Sequence, residues 1–214
     1  MSSTFYNSPF GIAVHPWINK ADTKFNTDGV FKLGLALGGE EAIALKERID
    51  KEAEAASERY WETKDGAKVL PKDRKHWKAY VPYAVEEDDA GNPTGFIEFK
   101  FKQNQKLKLK DGSTKVIKIS IVDASGNKQV RKPVFGGSEV RVRYSMRDVV
   151  IKTDKKIGIQ LAFNQVQVRK LAEQTQGGGF DAVDGYVEDD ESFDAGANEN
   201  QQAGDNSAAT NGDY

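Results

Sequence analysis

The chain has 214 residues, enough for one well-cored domain and an appendage, and it has no cysteine, which excludes disulfides, thiolate metal sites and a thiol nucleophile. Its net charge of −2 conceals an asymmetry: residues 1–174 hold all 31 basic side chains and 23 of the 33 acidic ones, whereas 175–214 hold ten acids and no lysine or arginine. No apolar run approaches the roughly 20 residues of a membrane span, and "MSSTFYNSPFG" has no basic flank running into an apolar core, so neither membrane association nor a secretory leader is expected and the cytoplasm is the expected location.

In chain order, "FGIAVHPW" (10–17) alternates, with Phe10, Ile12 and Val14 facing one way and Ala13, His15 and Trp17 the other. "GVFKLGLAL" (29–37) alternates through Phe31, Leu33, Leu35 and Leu37. Both read as strands with one buried face. Gly38 and Gly39 end the pattern, and over 40–63 Ala42, Leu45, Ile49, Ala53, Ala56 and Tyr60 recur at steps of three and four, which predicts an amphipathic helix. Residues 64–95 read as irregular. Their first half is basic and aromatic, their second half is an acidic turn, and Pro71, Pro82 and Pro93 argue against a long helix or central strand.

Strand signals then crowd together. "FKFKQNQKLKLK" (99–110) predicts one strand with Phe99, Phe101, Leu107 and Leu109 on one face and five lysines on the other. Asp111-Gly112 predicts a hairpin turn into 115–123. "SEVRVRYSM" (138–146) sets Val140, Val142 and Tyr144 against Arg141 and Arg143. "IGIQLAF" (157–163) is out of phase with "VQV" (166–168), which predicts a bulge near Asn164–Gln165. The expected fold is mainly β: a small five-stranded antiparallel barrel with one amphipathic helix over 1–174, followed by a disordered acidic tail over 175–214, where apolar surface is too scarce to fold.

No chemistry of catalysis is indicated. His15 and His76 have no spacing for a shared metal, no phosphate-cradling glycine loop ends in Lys-Ser or Lys-Thr, and no acid cluster stands out in the body, so neither enzyme activity, metal nor cofactor is expected. Binding chemistry is indicated. Lys100, Lys102 and Lys106 on one strand and Arg141 and Arg143 on another place cations outward. Such lysines also serve to protect strand edges, but arginines at the same parity favour phosphate. Trp77, Tyr80 and Tyr83, set among Lys72, Arg74, Lys75 and Lys78, have the composition of a base-stacking loop; equally, they suit a loop pinned to the barrel by its aromatics. Trp17, on the polar parity of its strand, is a further stacking candidate.

"KPVFGGSEVRVRYS" (132–145) resembles the strand-entry signature of the single-stranded DNA-binding proteins that short-tailed phages of the T-seven type use in replication. The sheet segments "FKFK" and "IKISIVDASGNK" within 99–128, the glycines at 177–179 and the closing Asp213-Tyr214 fit the same pattern. The resemblance covers about 95–180 well and 5–60 more loosely. It implies an oligonucleotide/oligosaccharide-binding (OB) barrel without enzymatic activity, roles in replication, recombination and repair, and a tail that occupies the DNA groove or recruits replication enzymes. Two features depart from it: the final aromatic is Tyr214 where phenylalanine is typical, and the tail is diluted by Asn, Gln and Ala. The leading expectation is sequence-independent binding of single-stranded DNA. A single-stranded RNA binder or annealing chaperone, and an interaction protein working through its acidic tail, are the alternatives.

Overall fold

The computed structural model describes residues 4–109 and 111–172; the acidic tail expected over 175–214, with Asp213 and Tyr214, lies outside the described residues. In chain order the elements are β1 (Tyr6–Asn7), β2 (Gly11–Asp22), β3 (Val30–Gly38), α1 (Gly39–Trp61), a 3-10 turn (Gly66–Lys68), α2 (Pro71–Arg74), β4 (Lys78–Tyr80), β5 (Tyr83–Glu87), β6 (Pro93–Asn104), β7 (Lys106–Lys108), β8 (Thr114–Val116), β9 (Ser120–Val122), β10 (Glu139–Ile151) and β11 (Lys156–Lys170). Among the described residues no helix is long and apolar enough to cross a membrane.

The long strands carry the architecture. β2 pairs β3, β3 pairs β6 and β10 pairs β11, all antiparallel. Two shorter contacts complete the circuit: Leu161 of β11 pairs Phe101 of β6, and Glu139 and Val140 of β10 pair Ile12 and Gly11 of β2. The expected all-antiparallel arrangement is corrected here, because β11 runs parallel to β4, β6 and β9. Those partners arrive through crossovers rather than hairpins, so nothing forces them to be antiparallel.

Inside the circuit lie Phe31, Leu33 and Leu35 of β3, Phe99 and Phe101 of β6, Val140, Val142 and Tyr144 of β10, and Ile159, Leu161 and Phe163 of β11. Phe101 meets Tyr144 and Phe163 with ring centroids 5.4 and 6.3 Å apart. α1 buries Ala42, Leu45, Ile49, Ala53, Ala56 and Tyr60, the stripe that helical periodicity selects. Three of these six are alanine, which lets the helix lie close to the sheet. The predicted bulge is present: Arg143 pairs Gln165 while Tyr144 pairs Phe163, leaving Asn164 as the extra residue.

Three local readings change, besides the division of 115–123 into β8 and β9. Residues 64–95 are not irregular throughout, since β4 pairs β11 and β5 pairs β6. Residues 99–110 do not form one strand. The chain breaks at Gln105, whose N–H bonds to the Gly29 carbonyl, and Lys106 and Lys108 belong to a separate two-stranded hairpin of β7 and β8. The third change is in β2: Ala13 is buried, whereas Ile12, expected on the apolar side, is 46% exposed.

Candidate nucleic-acid interface

Beyond Ala13 the phase of β2 changes again, at a bulge. Val14 pairs Gly34 and Trp17 pairs Lys32, so three steps on β2 match two on β3. His15 absorbs the extra residue with φ of 44°, in the left-handed region that few non-glycine residues occupy. Val14 and Trp17 are an odd number of residues apart and would face opposite ways in a regular strand. The bulge turns Trp17 outward beside Val14, where its indole is 48% exposed.

Trp17 borders a depression of about 350 Å³ on the outer face of β2, β3 and β6, lined also by Lys32, Gly34, Tyr80, Lys100 and Lys102. The register places these groups in rows: Lys32 opposite Lys102, and Gly34 opposite Lys100. Gly34 keeps the floor low, because it carries no side chain at an outward position. Gln160 of β11 closes one side, donating from Nε2 to the Lys102 carbonyl at 3.0 Å. Tyr80 reaches the depression because β4 pairs tightly with β11 at Gly158, where a Cβ would strike the Tyr80 carbonyl. Lys32 donates to Asp22 at 2.6 Å, and this hydrogen bond holds the Asp22 carboxyl below the usual carboxylate range. Lys100 and Lys102 are in no ion pair among the described residues, so their charge is available to a ligand.

Arg141 and Arg143 lie in a second depression, of about 460 Å³, with Phe5, Asn7, Gln165 and Gln167. The Arg143 guanidinium sits 4.8 Å from the Phe5 ring centre, and Arg141 lies 5.0 Å from that of Phe10 while donating from Nε to Gln167 at 2.6 Å. Stacking holds both forks in place, helped at Arg141 by the bond to Gln167, with donors to spare.

The other sequence candidates fall elsewhere. Trp77 packs at the end of α1, with ring centres 5.6 Å from both Tyr60 and Trp61. Tyr83 turns toward the core, 6.0 Å from Phe99, and donates its hydroxyl to Asp50 at 2.6 Å; burial and that bond push its hydroxyl pKa up. Lys75 is exposed just after α2. Lys106, on the β7–β8 hairpin, pairs with Asp28 at 3.3 Å. Of the predicted residues, then, the first depression gathers Trp17, Tyr80, Lys100 and Lys102, and the second gathers Arg141 and Arg143. Lys32, Gly34 and Phe5 were missed. The first two had a readable signal, since the outward parity of β3 runs Lys32, Gly34, Ala36; Phe5 had none. Among the described residues no group of three or more His, Asp or Glu side chains could hold a metal ion.

Residues 10–171 match the family described as single-stranded DNA-binding protein, bacteriophage T7. The chain belongs to this family. It is 30% identical over 175 residues to the single-stranded DNA-binding protein of Enterobacteria phage T3, covering 77% of this chain and 71% of that one. It is 28% identical over 185 residues to that of Escherichia phage T7, covering 81% and 75%. The fold matches the crystal structure of gp2.5, a single-stranded DNA-binding protein encoded by bacteriophage T7, with a TM-score of 0.64 at 24% identity, over 88% of this chain and all of that one. The single-stranded DNA-binding protein from bacteriophage Enc34 in complex with ssDNA is similar in fold at a TM-score of 0.50 and 15% identity, over 80% and 89%.

Proposed function

We propose that this protein binds single-stranded DNA with little regard to sequence during phage DNA replication, recombination and repair, in the host cytoplasm and without catalysing a reaction. The circuit of β2, β3, β6, β11 and β10 is read as the OB-type barrel. The observation that carries the proposal is the outward meeting of Trp17 with Lys100 and Lys102, which are in no ion pair among the described residues, around the side-chain-free position of Gly34. A flat aromatic beside free cations offers a base face and a phosphate their complementary partners. The names of the two phage relatives, and a protein of the same fold in complex with ssDNA, support the reading.

Arg141 and Arg143 extend the path. Gln160 borders the first depression and Gln165 the second, five residues apart on β11, on the order of 15 Å. One strand of DNA can run along β11 and touch both. Trp77 and Tyr83 serve the packing of α1 rather than stacking, and Lys75 and Lys106 add only to the surrounding positive field. The tail over 175–214, with ten acids and no cation, acts as a tethered competitor for the same cations, and Asp213-Tyr214 recruits replication enzymes.

A gel shift with a single strand of about 30 nucleotides, long enough for one or more OB sites, tests the proposal. DNA should be retained, and DNA should outcompete RNA of equal length. Absence of a shift at low salt refutes single-strand binding, and stronger competition by RNA transfers the function to RNA.

A further inference from the structure

The charged side chains of the Trp17 depression are basic except for one. Glu98 stands on the outward face of β6, two residues before Lys100, and lines the same depression. Its carboxylate lies over Gly34 so closely that a Cβ on residue 34 would collide with Oε1. Among the described residues no ion pair or side-chain hydrogen bond engages it, since Lys32 gives its ammonium to Asp22 instead. An unpaired carboxylate amid phosphate-binding lysines repels a phosphate that strays from the lysines. It also accepts hydrogen bonds and donates none.

We infer that Glu98 reads the edge of the base stacked at Trp17, favouring cytosine and adenine, whose exocyclic amino group projects from that edge, over thymine. Cytosine offers its N4 amino group and adenine its N6, whereas thymine presents the O4 acceptor at the corresponding place, and a carboxylate is a matched partner for the cytosine amino group. The same charge orients the strand, with base edges toward Glu98 and phosphates on Lys100 and Lys102. This inference rests on the reading of the depression as the single-strand site. It adds a mild preference to otherwise sequence-tolerant binding, because one hydrogen bond in an open groove changes affinity only about threefold to tenfold.

The test compares oligo(dC) and oligo(dT) of about 15 nucleotides, the upper end of one OB site, on the full chain and on Glu98→Gln. Glutamine keeps the shape, removes the charge and supplies an N–H donor that suits thymine O4. Affinity for both strands should rise, and more for oligo(dT), so that the ratio of dC to dT affinity falls about threefold to tenfold. Thermal melting should be unchanged. If both affinities rise by the same factor, Glu98 contributes only charge and the inference is overturned, while single-strand binding stands. A fall in both affinities overturns it as well. If neither protein binds either strand, the reading of the depression itself fails, and the inference with it.

Discussion

Trp17→Ala separates a binding tryptophan from a structural one. The chain has three tryptophans, and Trp61 and Trp77 sit together at the end of α1. Removing the Trp17 indole should cost about 1–3 kcal/mol of single-strand affinity, the usual worth of one stacked base, or about 5- to 150-fold in Kd. About half of that side chain is in contact with the protein, so its loss should lower folding stability by about 1–2 kcal/mol. Trp77→Ala should do the reverse. It gives up burial and two aromatic contacts at 5.6 Å, for about 3–5 kcal/mol of stability, and leaves affinity nearly intact wherever the protein remains folded. Intrinsic fluorescence reads both effects. DNA should quench the wild-type emission, and the quenching should vanish in Trp17→Ala although two tryptophans remain. Chemical denaturation supplies the stability of each variant. The reasoning is refuted if Trp17→Ala keeps its affinity and its quenching while Trp77→Ala loses both without loss of stability.

Changing Lys100 and Lys102 together to glutamine should flatten the log–log salt dependence of binding by about 1.4, using ~0.7 per phosphate contact, from a wild-type slope of roughly −2 to −3.5; titrations from low to moderate salt measure it. Gly34→Val should fill the floor of the depression and weaken single-strand binding about tenfold or more at a stability cost of about 1–3 kcal/mol, because the new Cβ meets Val14 at 3.0 Å and displaces the Glu98 carboxylate. Circular dichroism should show the sheet retained. Asp22→Asn should release the Lys32 ammonium into the depression and raise affinity a few-fold at low salt. The Asp22 carboxyl is depressed in the folded protein, so its pairing with Lys32 stabilises the fold above the ordinary carboxylate range and is lost as pH falls through the depressed value; acid titration of wild type should therefore approach the binding behaviour of the variant. Removing the residues after Thr175 should raise affinity for single strands by about tenfold at low salt and less at high salt, as expected for a tethered polyanion; unchanged affinity at low salt would exclude competition by the tail.

Periodicity alone determined a good part of this protein. The α1 stripe, the inward Phe99 and Phe101, the paired arginines of β10 and the slip at Asn164 are all set within one segment, by side chains repeating at 3.6 or 2.0 residues. The order of segments over about 95–180, taken with the acidic tail and its closing Asp213-Tyr214, was likewise enough to point to the family. Other features depended on partners far away in the chain. The inward face at the start of β2 was misread because alternation over 10–17 has two solutions of similar apolarity, and pairing with β3 selects the one that buries Ala13; Trp17 nevertheless faces outward, as its polar parity suggested, only because the His15 bulge shifts the phase after Val14. Segment 99–110 keeps one parity across the polar Gln103-Asn104-Gln105, yet the chain leaves β6 at Gln105, which bonds to Gly29, so Lys106 leaves the face that Lys100 and Lys102 share. Trp77 and Tyr80 are three residues apart and read alike in sequence. The end of α1 covers one, and the parallel pairing of β4 with β11 at Gly158 delivers the other to the depression. A side chain's neighbours along the chain set its conformational preference; which surface it finally faces was decided by pairing energy between strands tens of residues apart, which no local pattern encodes.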